Sequence, residues 1–410
     1  MTAPDTEAPL YDQNTAGSTM SNPRAGYIAK PRSVLLASNY NVWREPFNSQ
    51  AESFLNVISQ VENADVLAPG GASYLTGQRF HPSIPYLIGE TMHRVSSQLL
   101  NGLGRPGASN MIKTEVNNNY DLFFFMCQFP QELTALNRLK HWRKRSGIAV
   151  AYILETWSSM LSSVAANLRL LDQFDHVYVL NGQSISELRR YTKTPVSQLF
   201  PATDVALATP MPGTAGRSVD VFSYGRRSDH VHAQLVAMSS KLSDFLYVYD
   251  TVSGGSVKHW LDHRLLNASL MKRSKFFIAY NPSDVGGTVI GQSKGEQAPS
   301  TRYFEGAAGG AVMLGSRPRS EDFARCFDWP DAVIDVPVDS DIAAVLSELL
   351  AQEDRLRTVS HRNTVESLTR HDWSHRWQEV LNQFGLDSSP ALHDRQGELR
   401  RLSDLPYRWA

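Results

Sequence analysis

Two tandem α/β domains, each built on a parallel sheet, are what this chain's alternation of apolar runs and helical spacings predicts. Three observations carry the prediction. Asp121-Leu122-Phe123-Phe124-Phe125-Met126-Cys127 is an apolar run of the kind that forms a central parallel strand covered on both faces. Strand and helix patterns alternate as far as Tyr191, break in Thr194–Gly216, which holds four prolines and two glycines, and then resume. At 410 residues the chain also exceeds what one core usually serves.

Composition narrows the functional classes. With 42% apolar and 20% charged residues and a net charge of −1, there is no global reason to expect nucleic acid as a partner. The two cysteines, Cys127 and Cys326, lie in apolar settings and form no CxxC pair, which fits a reducing cytosol and a cytoplasmic location. No run of about 18 apolar residues occurs, so no membrane span is expected. Residues 1–32, rich in Thr, Ser, Asn, Pro and Asp, read as a flexible N-terminal segment.

The first domain is expected over 33–205. Ser33–Ala37 reads as a strand, and Ser49–Val61 as a helix, with Ala51, Phe54, Leu55, Ile58 and Val61 at helical spacing. The loop between them is no GxGxxG, which argues against an ordinary dinucleotide site. A strand at Asp65–Ala68, a helix at Ile88–Leu100, the Asp121–Cys127 strand and a helix at Gln131–Lys144 follow. Strand Ile148–Leu154 then delivers Glu155 and Trp157 at its end, and strand His176–Leu180 precedes a helix at Ile185–Tyr191. A linker over 206–216 leads to the second domain, 217–372. There, strand Val219–Tyr224 ends in Gly225-Arg226-Arg227, and strand Phe245–Tyr249, helix His259–Lys272 and strand Lys275–Tyr280 follow. Strand Ala332–Val336 and a helix from Asp341 to Ala351 close the domain, leaving residues 373–410 as a last helix and tail. Tandem halves of this kind leave a cleft where the strand ends of each face the other, and the switch-point rule puts the site there.

One stretch stands out: Thr301-Arg302-Tyr303-Phe304-Glu305-Gly306-Ala307-Ala308-Gly309-Gly310, followed by the apolar strand Ala311–Leu314. It reads as a short helix closed by glycines, with one carboxylate ahead of residues that let a ligand or a neighbouring element come close. Glu305 offers two acceptor oxygens to the hydroxyls of a ribose or sugar; the same pattern also suits a tight helix–strand packing corner. Glu155, at a strand end facing the cleft, either handles an acceptor hydroxyl or pairs with a neighbouring arginine. His259 and His263 are four apart on a helix pattern but lack a third ligand, and Trp260 stands where HExxH has its glutamate, so they read as core or surface histidines. His230 and His232, on what reads as a strand, fall under the same reading, with His230 near enough to Arg226 to line a site. Arg138, Lys140, His141, Arg143, Lys144 and Arg145 make one basic run. It forms either a solvated helix face or a patch that touches anionic lipid.

With these features in place, the chain resembles the glycosyltransferases of the two-Rossmann-domain GT-B type, and within them the group-1 and CgeB-like branch. Arg302 to Met313 is similar to that branch's F-E-x-A-A-x-G sequence, and His371-Asp372-Trp373 with Arg376-Trp377 to the aromatic start of its last helices. Pro201-Ala202-Thr203-Asp204 stands where the family has a Pro-x-x-Asp turn, and Gly225-Arg226-Arg227 where it has Gly-Arg at a strand end. The resemblance implies C-terminal helices that cross back to the first domain, and transfer of a sugar from a nucleotide-sugar donor to a hydroxyl acceptor. The acceptor would be a carbohydrate or lipid-linked, in polysaccharide or glycoconjugate assembly. No cofactor or metal is implied by the resemblance, and retention of anomeric configuration is the expected outcome. By the same resemblance Glu305 would bind the donor's ribose, while Gly306, Gly309 and Gly310 would approach the phosphates or sugar beside Arg302 and Tyr303. Arg226 or Arg227 would pair with the diphosphate. One departure stands out: the family's other glutamate belongs at position 297, which is Gln297, with Glu296 next to it. A CgeB-like binding module without turnover, or a nucleotide-sugar epimerase, are therefore the alternatives.

Overall fold

The computed structural model describes residues 31–71, 95–97, 99–100, 102–211, 216–251, 255–286 and 293–407. Strands β1 (Ser33–Ser38), β2 (Asn63–Leu67), β3 (Thr114–Glu115), β4 (Tyr120–Cys127), β5 (Leu139–Lys140), β6 (Ser146–Ile153), β7 (His176–Val179) and β8 (Val196–Gln198) fall in the first half. Six of them form an all-parallel sheet in the order β2-β1-β4-β6-β7-β8, while β3 and β5 make a small separate pair. Strands β9 (Val219–Ser223), β10 (Tyr247–Tyr249), β11 (Ser274–Ala279), β12 (Val312–Gly315) and β13 (Ile334–Asp335) form a second parallel sheet, ordered β10-β9-β11-β12-β13. This is the expected pair of Rossmann-like sheets, and both lie in one compact unit. Each sheet reverses its strand order once, between β1 and β4 and between β9 and β11, and these switch points open the crevices in which α/β folds bind ligands.

The central strand β4 shows why the apolar run was diagnostic. Leu122, Phe124 and Met126 face one layer and Phe123 and Phe125 the other, so both sides of the pleat are buried. Phe123 packs on Trp142 and Phe174 within the first half. On the other face the cover comes from the far end of the chain. Trp373 stacks on Phe54 at 4.5 Å, and the edge of Trp377 meets Phe124 at 5.6 Å. Helix Trp373–Gln383 therefore crosses back onto helix Ser49–Val61 and the first sheet, as the resemblance implied.

A buried ion network fixes this crossing. Asp372 caps the crossing helix by accepting from Ser374 N at 2.9 Å, and Arg395 bridges it, at 2.7 Å, to Asp204, at 2.8 Å. Asp204 also receives Arg264 of the second half, which pairs with Glu52 of the first at 2.7 Å. Burial pulls the Asp372 carboxyl up, but Arg395 and Ser374 outweigh it and hold the group below the usual carboxylate range. Short backbone bonds between Thr203 and His371 and between Trp373 and Thr203 run alongside. The two weak motifs of the sequence, Pro201–Asp204 and His371–Trp373, thus meet each other.

Several local expectations are corrected. The Gln131–Lys144 stretch is no α-helix: it forms a 3-10 turn, Pro130–Arg138, then β5 and a second short turn, Arg143–Arg145. His141 sits at φ 65°, which no helix accommodates. The basic run is therefore not one helix face; Arg138 is tied to Ser109 O, Arg143 to Asp175 and Arg145 to Asn119. His230 and His232 lie on helix Asp229–Lys241, not on a strand, because the Ser228 hydroxyl caps it by accepting from Val231 N. The break at Thr194–Gly216 contains a strand, β8, and the expected linker at 206 begins inside the helical turn Val205–Ala208. Most of the helix expected at Ile88–Leu100 lies outside the described residues. Among the described residues no helix is long and apolar enough to cross a membrane.

Arg395→Met is expected to strand the fully buried Asp372 and lower unfolding free energy by about 3–5 kcal/mol. Arg143→Met, at an exposed pair, costs under about 1 kcal/mol. Urea midpoints of the two variants check both, and equal losses would contradict the network's role.

Candidate active site

The carboxyl ends of both sheets converge on a cleft of about 520 Å³. From the first half come Gln128 after β4, Leu154, Glu155 and Trp157 after β6, and Leu180 and Asn181 after β7. From the second come Arg226 after β9, Pro282 after β11, and residues Ala298–Thr301 at the start of helix Thr301–Ala308. This helix presents its first backbone N–H groups, with their partial positive charge, to the cleft, and Arg226 adds a guanidinium. Anionic ligands are favoured at that wall.

The opposite wall is acidic and amide-rich. Glu155 accepts from Gln128 Nε2 at 2.8 Å and from Trp157 Nε1 at 3.4 Å, while its own N–H donates to Gln128 O at 2.7 Å. Three contacts then cross the cleft. Gln50 Nε2 donates to Thr301 Oγ1 at 2.7 Å; Glu296 Oε2 accepts from Ser158 N at 3.1 Å and Asn181 Nδ2 at 2.8 Å; and Gln183 Nε2 donates to Gln297 O at 2.8 Å. The segment ahead of the helix therefore spans the two halves. Its two candidate acceptors part ways, since the Gln297 side chain turns back to accept from Asn281 Nδ2 and Arg319 N within the second half.

Glu305 lies on the same helix but opens on a second cavity of about 550 Å³, lined also by Gln50, Asp204, Tyr224, Arg264 and Met271. The Tyr224 hydroxyl donates to Glu305 Oε2. Burial pushes the Glu305 carboxyl up to about 7, against the Tyr224 hydrogen bond and the Arg302 charge, which both pull it down. Gln50 lines both cavities, so its bond to Thr301 marks the divide between Glu305 and Glu155.

The other residues expected at a donor site have different places. Arg302 is buried and donates to Arg226 O at 2.6 Å, Tyr224 O at 3.4 Å and Tyr280 O at 3.1 Å; it pins the two loops of the second switch point instead of reaching into the cleft. Tyr303 is a core side chain, 1% exposed, whose hydroxyl donates to Ser316 O at 2.7 Å. Arg227 pairs with Asp250 and stacks over Tyr249, so only Arg226 of the arginine pair lines the cleft. Gly306, Gly309 and Gly310 are corrected from ligand approach to packing. A Cβ on Gly306 would stand 2.8 Å from both Met313 Sδ and Phe277 Cδ1, and one on Gly309 would stand 2.4 Å from Met271 Cγ. Gly310, at φ 64°, ends the helix at the far side from the cleft against Thr364 and Arg217. His259 is the residue before its helix, and His263 contacts Asn267, so the two do not form a metal-binding helical pair.

Comparison with known proteins bears on the second half. Residues 242–382, which include the Glu305 helix, match the family described as glycosyl transferase-like. No curated protein sequence matches the chain. Among solved structures it is similar to Anabaena HepE in complex with UDP-glucose, at 12% identity over 86% of this chain and 99% of that one, with a TM-score of 0.47. The N-terminal domain of Candida albicans trehalose-6-phosphate phosphatase is similar at 7% identity over 88% and 98%, with a TM-score of 0.49. An alpha-glucosyltransferase in complex with UDP follows at 9% over 86% and 100%, with a TM-score of 0.47. At these identities and TM-scores the likenesses carry no functional argument.

Gln128, Gln50 and Asn181 carry no motif in the sequence, whereas Glu296 stood out there only as the neighbour of Gln297. The signal available for Gln128 and Asn181 was position, since each is a polar residue directly after an apolar strand.

An acid whose folded-state pKa exceeds its unfolded value supports the fold below the unfolded value and loses that support as pH rises through the folded one. Relative to the parent, Glu305→Gln should therefore gain on the order of 1–2 kcal/mol above pH 7, a difference that fades toward the ordinary value of 4.5. Thermal melts across pH check this, and a pH-independent offset would contradict the burial of the charge.

Proposed function

We propose that the protein transfers a sugar from a nucleotide-sugar donor to a hydroxyl acceptor, in the cytosol and in glycoconjugate or polysaccharide assembly. The observation that carries the reading is the Thr301–Ala308 helix, which lies inside the glycosyl transferase-like match. It aims its N-terminus, beside Arg226, at a cleft whose other wall bears Glu155. Thr301 and Glu305 are four residues apart on one helix face, about 6 Å along the axis. A nucleoside diphosphate lying along that face meets Glu305 with its ribose hydroxyls and the helix start and Arg226 with its diphosphate. Gln50 then leaves Thr301.

In the transfer, the acceptor oxygen bonds to the anomeric carbon as that carbon's bond to the diphosphate oxygen breaks. The leaving diphosphate takes the bonding electron pair and, with retention of configuration, the hydroxyl proton. Glu155 orients the acceptor by accepting a hydrogen bond from a hydroxyl next to the reacting one, whose own proton goes to the diphosphate, and Arg226 and the helix amides stabilise the charge on the leaving group.

A binding module without turnover is the second reading. It is favoured by Gln297, a neutral side chain held by Asn281 and the Arg319 amide, and by a Glu296 engaged with Asn181. Donor hydrolysis in the absence of acceptor decides for the enzyme.

Thermal shift with UDP, GDP and ADP is expected to find one stabilising nucleotide, and Glu305→Ala and Arg226→Ala each to weaken it about 10-fold to 100-fold, the worth of one hydrogen bond to a charged group. A shift with none of the three would sink the proposal. The anomeric configuration of the product, read by NMR, tests retention.

A further inference from the structure

Behind Glu155 two buried amide oxygens lack a hydrogen-bond partner, and one of them belongs to Gln128 of the cleft lining. Gln128 is 3% exposed, and its Oε1 has no hydrogen-bond partner. Its orientation is fixed: Nε2 donates to Glu155 Oε1 at 2.8 Å, and turning the amide over would set its oxygen against a carboxylate. Asn39, directly after β1, repeats the arrangement. It is 5% exposed, its side chain bonds Glu132, and its Oδ1 is likewise without a partner. Glu132 joins the two by also accepting Gln128 N at 2.9 Å. Both amides thus stand at the switch point between β1 and β4, each held by a carboxylate on its donor side and without a partner on its acceptor side.

A buried carbonyl oxygen left unpaired is costly, so the one in the cleft lining calls for a ligand that supplies a donor. We infer that this corner is the subsite for the acceptor, and that it takes a sugar with a hydroxyl facing Gln128 and with no anionic group at that end. The inference deepens the transfer reading above and rests on it for the word acceptor. Gln128 lines the cleft itself, next to Glu155, so a hydroxyl on its oxygen neighbours the one that Glu155 orients. Leu154, Leu180 and Trp157 provide an apolar surface for the C–H face of a sugar ring. An anion is disfavoured because Glu155 lines the corner. The one cation among the described residues lining the cleft, Arg226, belongs to the donor wall.

The test is saturation-transfer NMR on the full chain with methyl glycosides of neutral hexoses and with the matching methyl uronides. A neutral glycoside is expected to bind at least about tenfold tighter than its uronide, and Gln128→Met to lose that binding about tenfold while its nucleotide affinity stays at the parent value. Equal or tighter binding of the uronide would overturn the inference, as would an unchanged neutral glycoside on a folded Gln128→Met, or no binding by any neutral glycoside. Should Gln128→Met fail to fold, the neutral-to-uronide comparison on the parent protein decides alone. Discrimination between the sugars without any nucleotide binding would refute the donor reading and leave the subsite standing.

Discussion

The buried junction of Asp204, Arg264, Glu52, Asp372 and Arg395 is what the rest of the structure depends on. Two acidic side chains from the crossover region, one from the first half and two arginines from separate helices meet with little water to screen them. Taking such charges out of water is costly, and only mutual pairing offsets it. The arrangement therefore tolerates one geometry, with the Arg264 helix, the Asp204 turn and the crossing helix all in register. The cleft is formed by residues hung on these same elements and their neighbours, so its width follows from that junction. By contrast, the contacts across the cleft itself are few: an amide to a hydroxyl, an amide to a carbonyl, and one carboxylate to an amide and a backbone N–H. Strong ties at the crossover and weak ones at the mouth are the distribution a hinged site requires.

The fold was legible because parallel strands advertise themselves. The Phe123–Phe125 run, the repeated strand-to-helix alternation and the proline-rich break all follow from local burial on both faces of a sheet. What failed locally failed for tertiary reasons. Pro130–Arg145 has helical composition, yet His141 in the left-handed region and the pairing of β5 with β3 interrupt it. β8 is only three residues long and sits between prolines, so nothing in its own sequence marks it as the edge of a six-stranded sheet. The Asp204, Asp372 and Arg395 junction spans nearly the whole second half of the chain, a separation at which sequence spacing says nothing.

The site was half legible. Glu155, Arg226 and the Glu305 helix could be placed from strand ends and helix starts, which topology decides. The roles of Gly306, Gly309 and Gly310 could not, because close approach looks the same in sequence whether the visitor is a phosphate or a methionine. Here it is Met313 and Met271 that fill the space. Arg302 misled for a related reason: a guanidinium suited to phosphate is equally suited to three backbone carbonyls, and at a switch point both lie within reach. Gln128 carries no motif at all; its significance comes from an oxygen left unpaired, which only coordinates reveal.

The aromatic cover of the first sheet also bears on how the chain is made. Phe54 and Phe124 belong to the first sheet and the helix on it, but the rings that shield them, Trp373 and Trp377, lie far along the chain and leave the ribosome long after them. During that interval the nascent first half presents an apolar aromatic face with no native partner, the kind of surface that chaperones bind and that aggregates when they do not. Loss of the helix Trp373–Gln383 therefore removes part of the core of the first half.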